Sequence, residues 1–247
     1  MRTVTATRYV TPLREGGSLP GLVEADDDGM YVVKFRGAGQ GPRALVAELL
    51  AGELARALHL PVPELVLVNL DPRIATAEPD QEVQDLLRAS AGLNLGMDFL
   101  PGALAHTAVD MVAPALASGI VWFDALVMNV DRTARNPNLL RWHREPWMID
   151  HGAAFYRHHG AADPGWDRQA VADDPFDLVA EHVLLQQARS IGAADEALAS
   201  MVTDALLDRL AVLVPREWAD PEPYIAFLRD RVGGRRAFVK RAIYAAA

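Results

Sequence analysis

Two loops and one strand in this 247-residue chain carry side chains whose types and spacing suit phosphoryl transfer. The first loop, Asp131-Arg132-Thr133-Ala134-Arg135-Asn136, follows an apolar stretch and sets an aspartate five residues before an asparagine. With that spacing a carboxylate can accept the proton of an attacking hydroxyl while an amide oxygen binds magnesium. In the second, Trp147-Met148-Ile149-Asp150-His151-Gly152, an apolar strand ends in Asp-x-Gly fourteen residues after Asn136. Magnesium takes one or two carboxylates together with substrate phosphates, and Asp150, with Gly152 permitting a sharp turn, supplies one. The third element is Lys34 in Tyr31-Val32-Val33-Lys34-Phe35, a cation inside an apolar strand that must point where its charge is satisfied. Taken singly, these are an outward-facing lysine, a polar loop and a hairpin turn. Their order along the chain is that of a site that positions a nucleotide and neutralises its charge.

The elements that must hold them follow from periodicity. Residues 2–10 and 30–35 are rich in β-branched and aromatic residues and read as strands, separated by turn clusters at 15–21 and 26–29. Residues 42–60 carry Leu45, Leu49, Leu50, Leu54 and Leu58 at helical spacing behind Pro42. Two glutamates on this helix could face Lys34. Glu53 has Arg56 three residues on, a surface pair, whereas Glu48 has no basic neighbour on its own helix and needs a partner elsewhere. Glu48 is therefore the expected partner of Lys34. Strands are expected at 64–70 and 92–100, a short helix at 79–90, and a hairpin at 139–142 and 146–149. Helices are expected at 109–128, 175–190, 193–214 and 221–245. The fold class is α+β: a small mixed N-lobe over residues 1–100 and a mainly helical C-lobe over residues 101–247, with a ligand cleft between them.

Composition narrows the field. With 24 basic and 33 acidic residues the net charge is −9, which argues against nucleic acid as a partner. Cysteine is absent, which removes disulfides, thiolate zinc sites and cysteine nucleophiles together. No stretch reaches the ~18 apolar residues of a membrane span, because Asp124 interrupts the longest candidate, and the N-terminus has no signal-peptide pattern. The expectation is a cytoplasmic protein without membrane partners. The adjacent His158-His159 lack further ligands and read as part of an activation segment. The arginines and lysine between 229 and 241 read as a solvated helix face.

The stretches Met128-Asn129-Val130-Asp131-Arg132-Thr133-Ala134-Arg135-Asn136 and Ile149-Asp150-His151-Gly152, together with Leu58-His59-Leu60-Pro61-Val62-Pro63, resemble the HipA-like kinases, over residues 16–190. The resemblance implies a protein-kinase-like, phosphoinositide-kinase-like fold and transfer of the γ-phosphoryl of ATP, with Mg2+, to a protein serine or threonine. It implies Asp131 as catalytic base, Asn136 and Asp150 as metal ligands, and Lys34 on the phosphates, oriented by Glu48. Gly16, Gly17 and Ser18 precede the lysine strand as a phosphate-covering loop does, and Ser18 matches the family's autoregulatory serine. Gly37-Ala38-Gly39-Gln40-Gly41 is the other candidate loop. An antitoxin or regulatory partner is the further implication, and Thr133 departs from the family's usual histidine. No segment before Lys34 matches the extra N-terminal subdomain of the full toxins. Two other readings are a small-molecule phosphotransferase of the antibiotic-kinase type, against which Asn129 speaks where a histidine is usual, and a nucleotide-binding pseudokinase acting as an interaction module.

Overall fold

The computed structural model describes residues 1–13, 19–39, 41–160 and 167–247. Strands β1 (Arg2–Pro12), β2 (Gly21–Ala25), β3 (Met30–Lys34), β4 (Leu65–Leu70) and β5 (Gly92–Asp98) close into a barrel in the order β1-β2-β3-β5-β4, with β1 and β4 paired in parallel. Val4, Val23, Tyr31, Val33, Val66 and Val68 form its small core. Side chains alternate faces along a strand, so Val32 and Lys34 lie on the outer face while Tyr31 and Val33 fill the interior. Space is tight at Gly96, which pairs with Val33 and Val66: a β-carbon there would stand 2.6 Å from Val68 Cγ2 and 3.0 Å from Val66 Cγ2.

Helix α1 (Gly41–Ala57) is buried around most of its circumference, from Ala44 to Ala55 with Glu53 excepted. A helix apolar on all sides belongs inside a core. Together with Leu65 and Leu95 from the barrel it joins the main core, which continues through α3 (Pro114–Leu126) and the helices that follow. Between β4 and β5 lie a 3₁₀ turn (Pro72–Ala77) and α2 (Gln81–Ala89), whose first turn is capped by the Asp80 side chain. β6 (Leu104–Ala105), β7 (Leu139–Trp142) and β8 (Glu145–Met148) make a second sheet. The chain ends through α4 (Tyr156–His159), α5 (Arg168–Ala172), α6 (Ile191–Ala199), α7 (Asp204–Leu213), α8 (Glu222–Gly233) and α9 (Ala237–Ala246).

Four expected helices differ, each for a tertiary reason. The 109–128 helix begins only at Pro114, because the Asp110 carboxylate accepts from Thr107 and Gln187 Oε1 accepts from the Val112 amide. The segment 175–190 is two 3₁₀ turns, Asp177–Glu181 and Leu185–Gln187. Between them the chain is drawn to the first loop, where the Val183 amide donates to the Arg132 carbonyl and the His182 ring meets Asp124. The stretch 193–214 divides into α6 and α7 because Thr203 caps the second, accepting from the Leu206 amide. The stretch 221–245 divides into α8 and α9 at Gly233-Gly234, with Arg236 in the left-handed region at φ 45°.

The basic C-terminal stretch is mostly paired within the chain: Arg229 meets Asp204 at 2.7 Å, and Arg241 meets Asp177 at 2.5 Å. Arg231 is not on a solvated face. It is fully buried and donates to the carbonyls of Ala125, Ala172 and Asp174, with its guanidinium 4.6 Å above the Phe238 ring. Burial pulls its pKa down to about 10. Among the described residues no helix is long and apolar enough to cross a membrane.

Gly96→Ala should force the barrel interior apart. Overpacking of this kind costs about 1–3 kcal/mol, so thermal unfolding should begin several degrees below the wild type. An unchanged Tm would show that the interior has room the packing denies.

Candidate active site

Lys34 stands at the C-terminal end of β3, on the outer face of the barrel. Its Nζ donates to Glu48 Oε2 of α1 at 2.5 Å and to Asp150 Oδ1 at 2.5 Å. Glu48 is 1% exposed, in the middle of an apolar helix, where an ionised carboxylate requires a partner. Burial favours its neutral form, but the Lys34 ammonium outweighs that and holds it ionised, well below the ordinary carboxylate range. Burial likewise disfavours the ammonium of Lys34, and the two carboxylates overcome it, so its pKa is pushed up to about 12. Glu53 pairs with Arg56 at 3.0 Å.

Asp150 follows β8 with φ 54°, in the left-handed region. The sharp turn therefore falls on the aspartate itself, which tolerates this conformation better than most residues, and not on Gly152. Gly152 lies beside the ion pair with room for a side chain: a β-carbon there would be in ordinary contact, 3.4 Å from Glu48 Oε2 and 3.7 Å from Lys34 Nζ.

In the first loop, Asp131 Oδ2 accepts from Asn136 Nδ2 at 2.7 Å and from Asn138 Nδ2 at 3.2 Å. Backbone bonds from the Thr133 amide to the Asp131 carbonyl and from the Asn136 amide to the Thr133 carbonyl wind the loop so that its two ends meet. A buried charge network lies beneath. Arg132, 1% exposed, pairs with Asp124 of α3 at 2.6 Å and donates to the carbonyls of Asn138 and Ile149. One guanidinium thus ties the Asp131 loop to the residue that precedes Asp150. Asp124 also receives His182 Nε2 at 2.9 Å and Asn129 Nδ2 at 3.0 Å. Burial opposes its ionisation, but Arg132 and His182 keep its pKa below the ordinary carboxylate range.

A cleft of about 1210 Å³ opens over these groups. Lys34, Glu48, Asn136, Asn138 and Asp150 line its charged end, and Val32, Leu95, Met97, Leu100 and Leu139 line it with apolar surface. Asp131 is not among the lining residues and lies behind Asn136 and Asn138, which bond to its carboxylate. Thr11, Pro12, Leu13 and Pro20, which flank the first glycine cluster, also line the cleft. Gly16, Gly17 and Ser18 lie outside the described residues. In the second glycine segment the Gly37 amide donates to Ser90 Oγ, and Ala38 and Gly41 border a separate small hollow that Lys34 and Gly152 also line; Gln40 lies outside the described residues. His158 is buried against Tyr224, with ring centroids 4.7 Å apart, and burial lowers its pKa to about 4.

Spacing alone did not single out Asn138, Arg132, Asp124 or His151. A signal for the Arg132 pair was present: a lone aspartate inside an apolar helix must have a buried cationic or hydrogen-bonding partner.

A barrel lysine and a helix glutamate facing a helical floor with Asp-x4-Asn and Asp-x-Gly turns define a kinase-type protein. The chain belongs to the HipA-like kinase family, whose model matches residues 7–226. Solved structures share the fold. The Helicobacter pylori proinflammatory kinase CtkA superposes with a TM-score of 0.60 at 13% identity, covering 100% of this chain and 97% of that one. The Golgi casein kinase with Mn/ADP bound gives 0.54 at 13% identity, covering 97% of this chain and 74% of that one. No curated protein matches the chain. It is a kinase-type phosphotransferase by family, with the fold to match.

The acid behaviour of the buried network follows from its sign. Asp124 is held ionised below its unfolded value of ~3.9, so its stabilisation is present above that pH and is lost as pH falls through the folded-state value. Asp124→Asn should be less stable than wild type near neutrality and lose less stability between about pH 5 and pH 2, measured by urea unfolding at each pH. Parallel curves for the two proteins would remove Asp124 from the acid transition. Arg132→Met leaves Asp124 buried without its main counter-charge and should cost about 3–5 kcal/mol by the same measurement.

Proposed function

We propose that the protein transfers the γ-phosphoryl group of ATP to a hydroxyl of a protein serine or threonine. The observation that carries this is the double ion pair of Lys34: one strand lysine held at 2.5 Å by both a helix glutamate and the aspartate of an Asp-x-Gly turn. We take residues 1–100 and 101–247 as the two lobes, with the nucleotide between them and the base against the apolar wall of the cleft. Lys34, oriented by Glu48, contacts the α- and β-phosphates. Asp131 accepts the acceptor's hydroxyl proton as the new phosphate ester forms and ADP leaves. The amides of Asn136 and Asn138 orient its carboxylate.

The donor set fits a divalent metal of the magnesium type. Among the described residues no group of three or more His, Asp or Glu could form an all-protein cage. One carboxylate and one amide on the wall of an open cleft are what magnesium takes when phosphates and water complete its shell. Asp150, its side chain 41% exposed, and Asn136 would hold it. The Asn136 bond to Asp131 uses its amide nitrogen, which leaves the carbonyl oxygen for the metal. When bound, the ion neutralises charge on the β- and γ-phosphate oxygens. The small-molecule and pseudokinase readings have no observation of their own in their favour.

Asp131→Asn should lower transfer by roughly 10²–10⁴ while leaving the stabilisation by Mg·ATP in thermal unfolding nearly intact. Asp150→Ala should abolish most of that stabilisation. Full turnover by Asp131→Asn on an identified acceptor would show that the loop is not a catalytic loop. Lys34 pairs with the Asp150 carboxylate that would also hold the metal, and phosphates that took up the lysine would leave that carboxylate to the metal. Titration with Mn2+ should therefore show binding about fivefold or more tighter with ADP present. Equal affinity with and without ADP would mean that Asp150 is not the shared group.

A further inference from the structure

Glu48 has one oxygen accounted for and one not. Oε2 takes the Lys34 bond, but Oε1 is buried with no hydrogen bond among the described residues. Nδ1 of His151 stands 3.5 Å away from it. His151 is itself 0% exposed, and neither ring nitrogen has a hydrogen-bond partner. Buried donors and acceptors without partners are rare and costly. Here a donor and an acceptor, both unsatisfied, face each other at the outer edge of bonding distance. A shift of about 0.5 Å would bring them to an ordinary hydrogen bond. The ring edge packs on Phe123 of α3, with centroids 6.1 Å apart at 82°, which limits where it can turn. Protein kinases generally place an apolar ring between the Asp and Gly of this turn. An imidazole at that point adds a donor where Glu48 lacks one.

We propose that His151 is a positioning residue: its Nδ1–H donates to Glu48 Oε1 and so fixes the carboxylate that orients Lys34. This rests on the kinase reading, in which Lys34 is presented to phosphates. The consequence is mechanical. His151 is the neighbour of Asp150, so the bond joins the metal-side turn to α1, and the lysine, the helix glutamate and the strand-end aspartate move as one body. No change of charge on the ring is required.

The choice of replacement separates this role from simple packing. Asparagine can place an amide near the position of Nδ1, glutamine places its amide near Nε2, and phenylalanine fills the volume with no donor. His151→Phe should weaken Mg·ATP binding, measured calorimetrically on the full chain, by roughly tenfold, the scale of a buried hydrogen bond to a charged group. His151→Asn should recover most of the loss and His151→Gln should not. In a Glu48→Ala background the same His151→Phe change should have almost no effect, because its target is gone. Wild-type affinity in His151→Phe, or an equal loss in both backgrounds, would overturn the proposal. A second readout needs no nucleotide: ¹⁵N spectra of the imidazole at a fixed pH should show the proton on Nδ1 of His151, and a proton on Nε2 alone would overturn it. If the wild type binds no nucleotide at all, the kinase reading fails, and the ¹⁵N spectra still decide the hydrogen bond.

Discussion

The ammonium of Lys34 lies 2.5 Å from two carboxylates, one brought by α1 and the other by the turn after β8. Glu48 has almost no access to water, and Lys34 has little, so neither ion could be left alone without a cost of several kcal/mol. That requirement couples three elements distant in sequence. The β3 register must put Lys34 on the outer face, α1 must rotate Glu48 inward against its own apolar surroundings, and the backbone at Asp150 must take a left-handed conformation to turn its carboxylate back toward β3. A helix with an apolar surface on all sides has no preferred rotation from hydrophobicity alone. The ion pair supplies one. The ion pair at the charged end of the cleft thus also settles how α1 packs.

A second set of ions lies on the floor of the cleft and differs in kind. Asp124, Arg132 and His182 are all nearly inaccessible to water. Nη1 of Arg132 donates to the main-chain carbonyls of Asn138 and Ile149, so the two loops are held at their backbones. His182 arrives from a segment that gives up regular helix to reach Asp124 and to pair with Thr133. The turn at Thr133 is thereby supported by a histidine from another element, at the position where the family's loop usually carries its own.

Much of this was legible in the residues, and the limits have physical causes. The barrel strands, α1, α2 and the β7–β8 hairpin follow from local periodicity and turn residues. The choice of Glu48 over Glu53 followed from asking which carboxylate already had a partner on its helix, and Glu53 does meet Arg56. Lys34, Glu48, Asn136 and Asp150 all border one cleft, although their spacing in the chain ranges from fourteen residues to more than a hundred. The helices after residue 107 were misread because their ends are set by partners elsewhere: Gln187 on Val112, Arg132 on Val183, Asp124 on His182. The role of Arg132 was hidden for the same reason. Its partners are mostly carbonyls, and a backbone oxygen has no letter in a sequence.

The two ion networks divide the work by exposure. In the open one, the Asp150 side chain is 41% exposed and its bond to Lys34 is one of two that the ammonium makes. In the sealed one no partner can be exchanged without opening the core, since each ion would meet no water on leaving. Geometry is therefore held where the charges are sealed, and the open pair faces the cleft. His151 stands at the join: it follows Asp150 in the chain, packs on α3 through Phe123, and faces the one oxygen of Glu48 that Lys34 does not use.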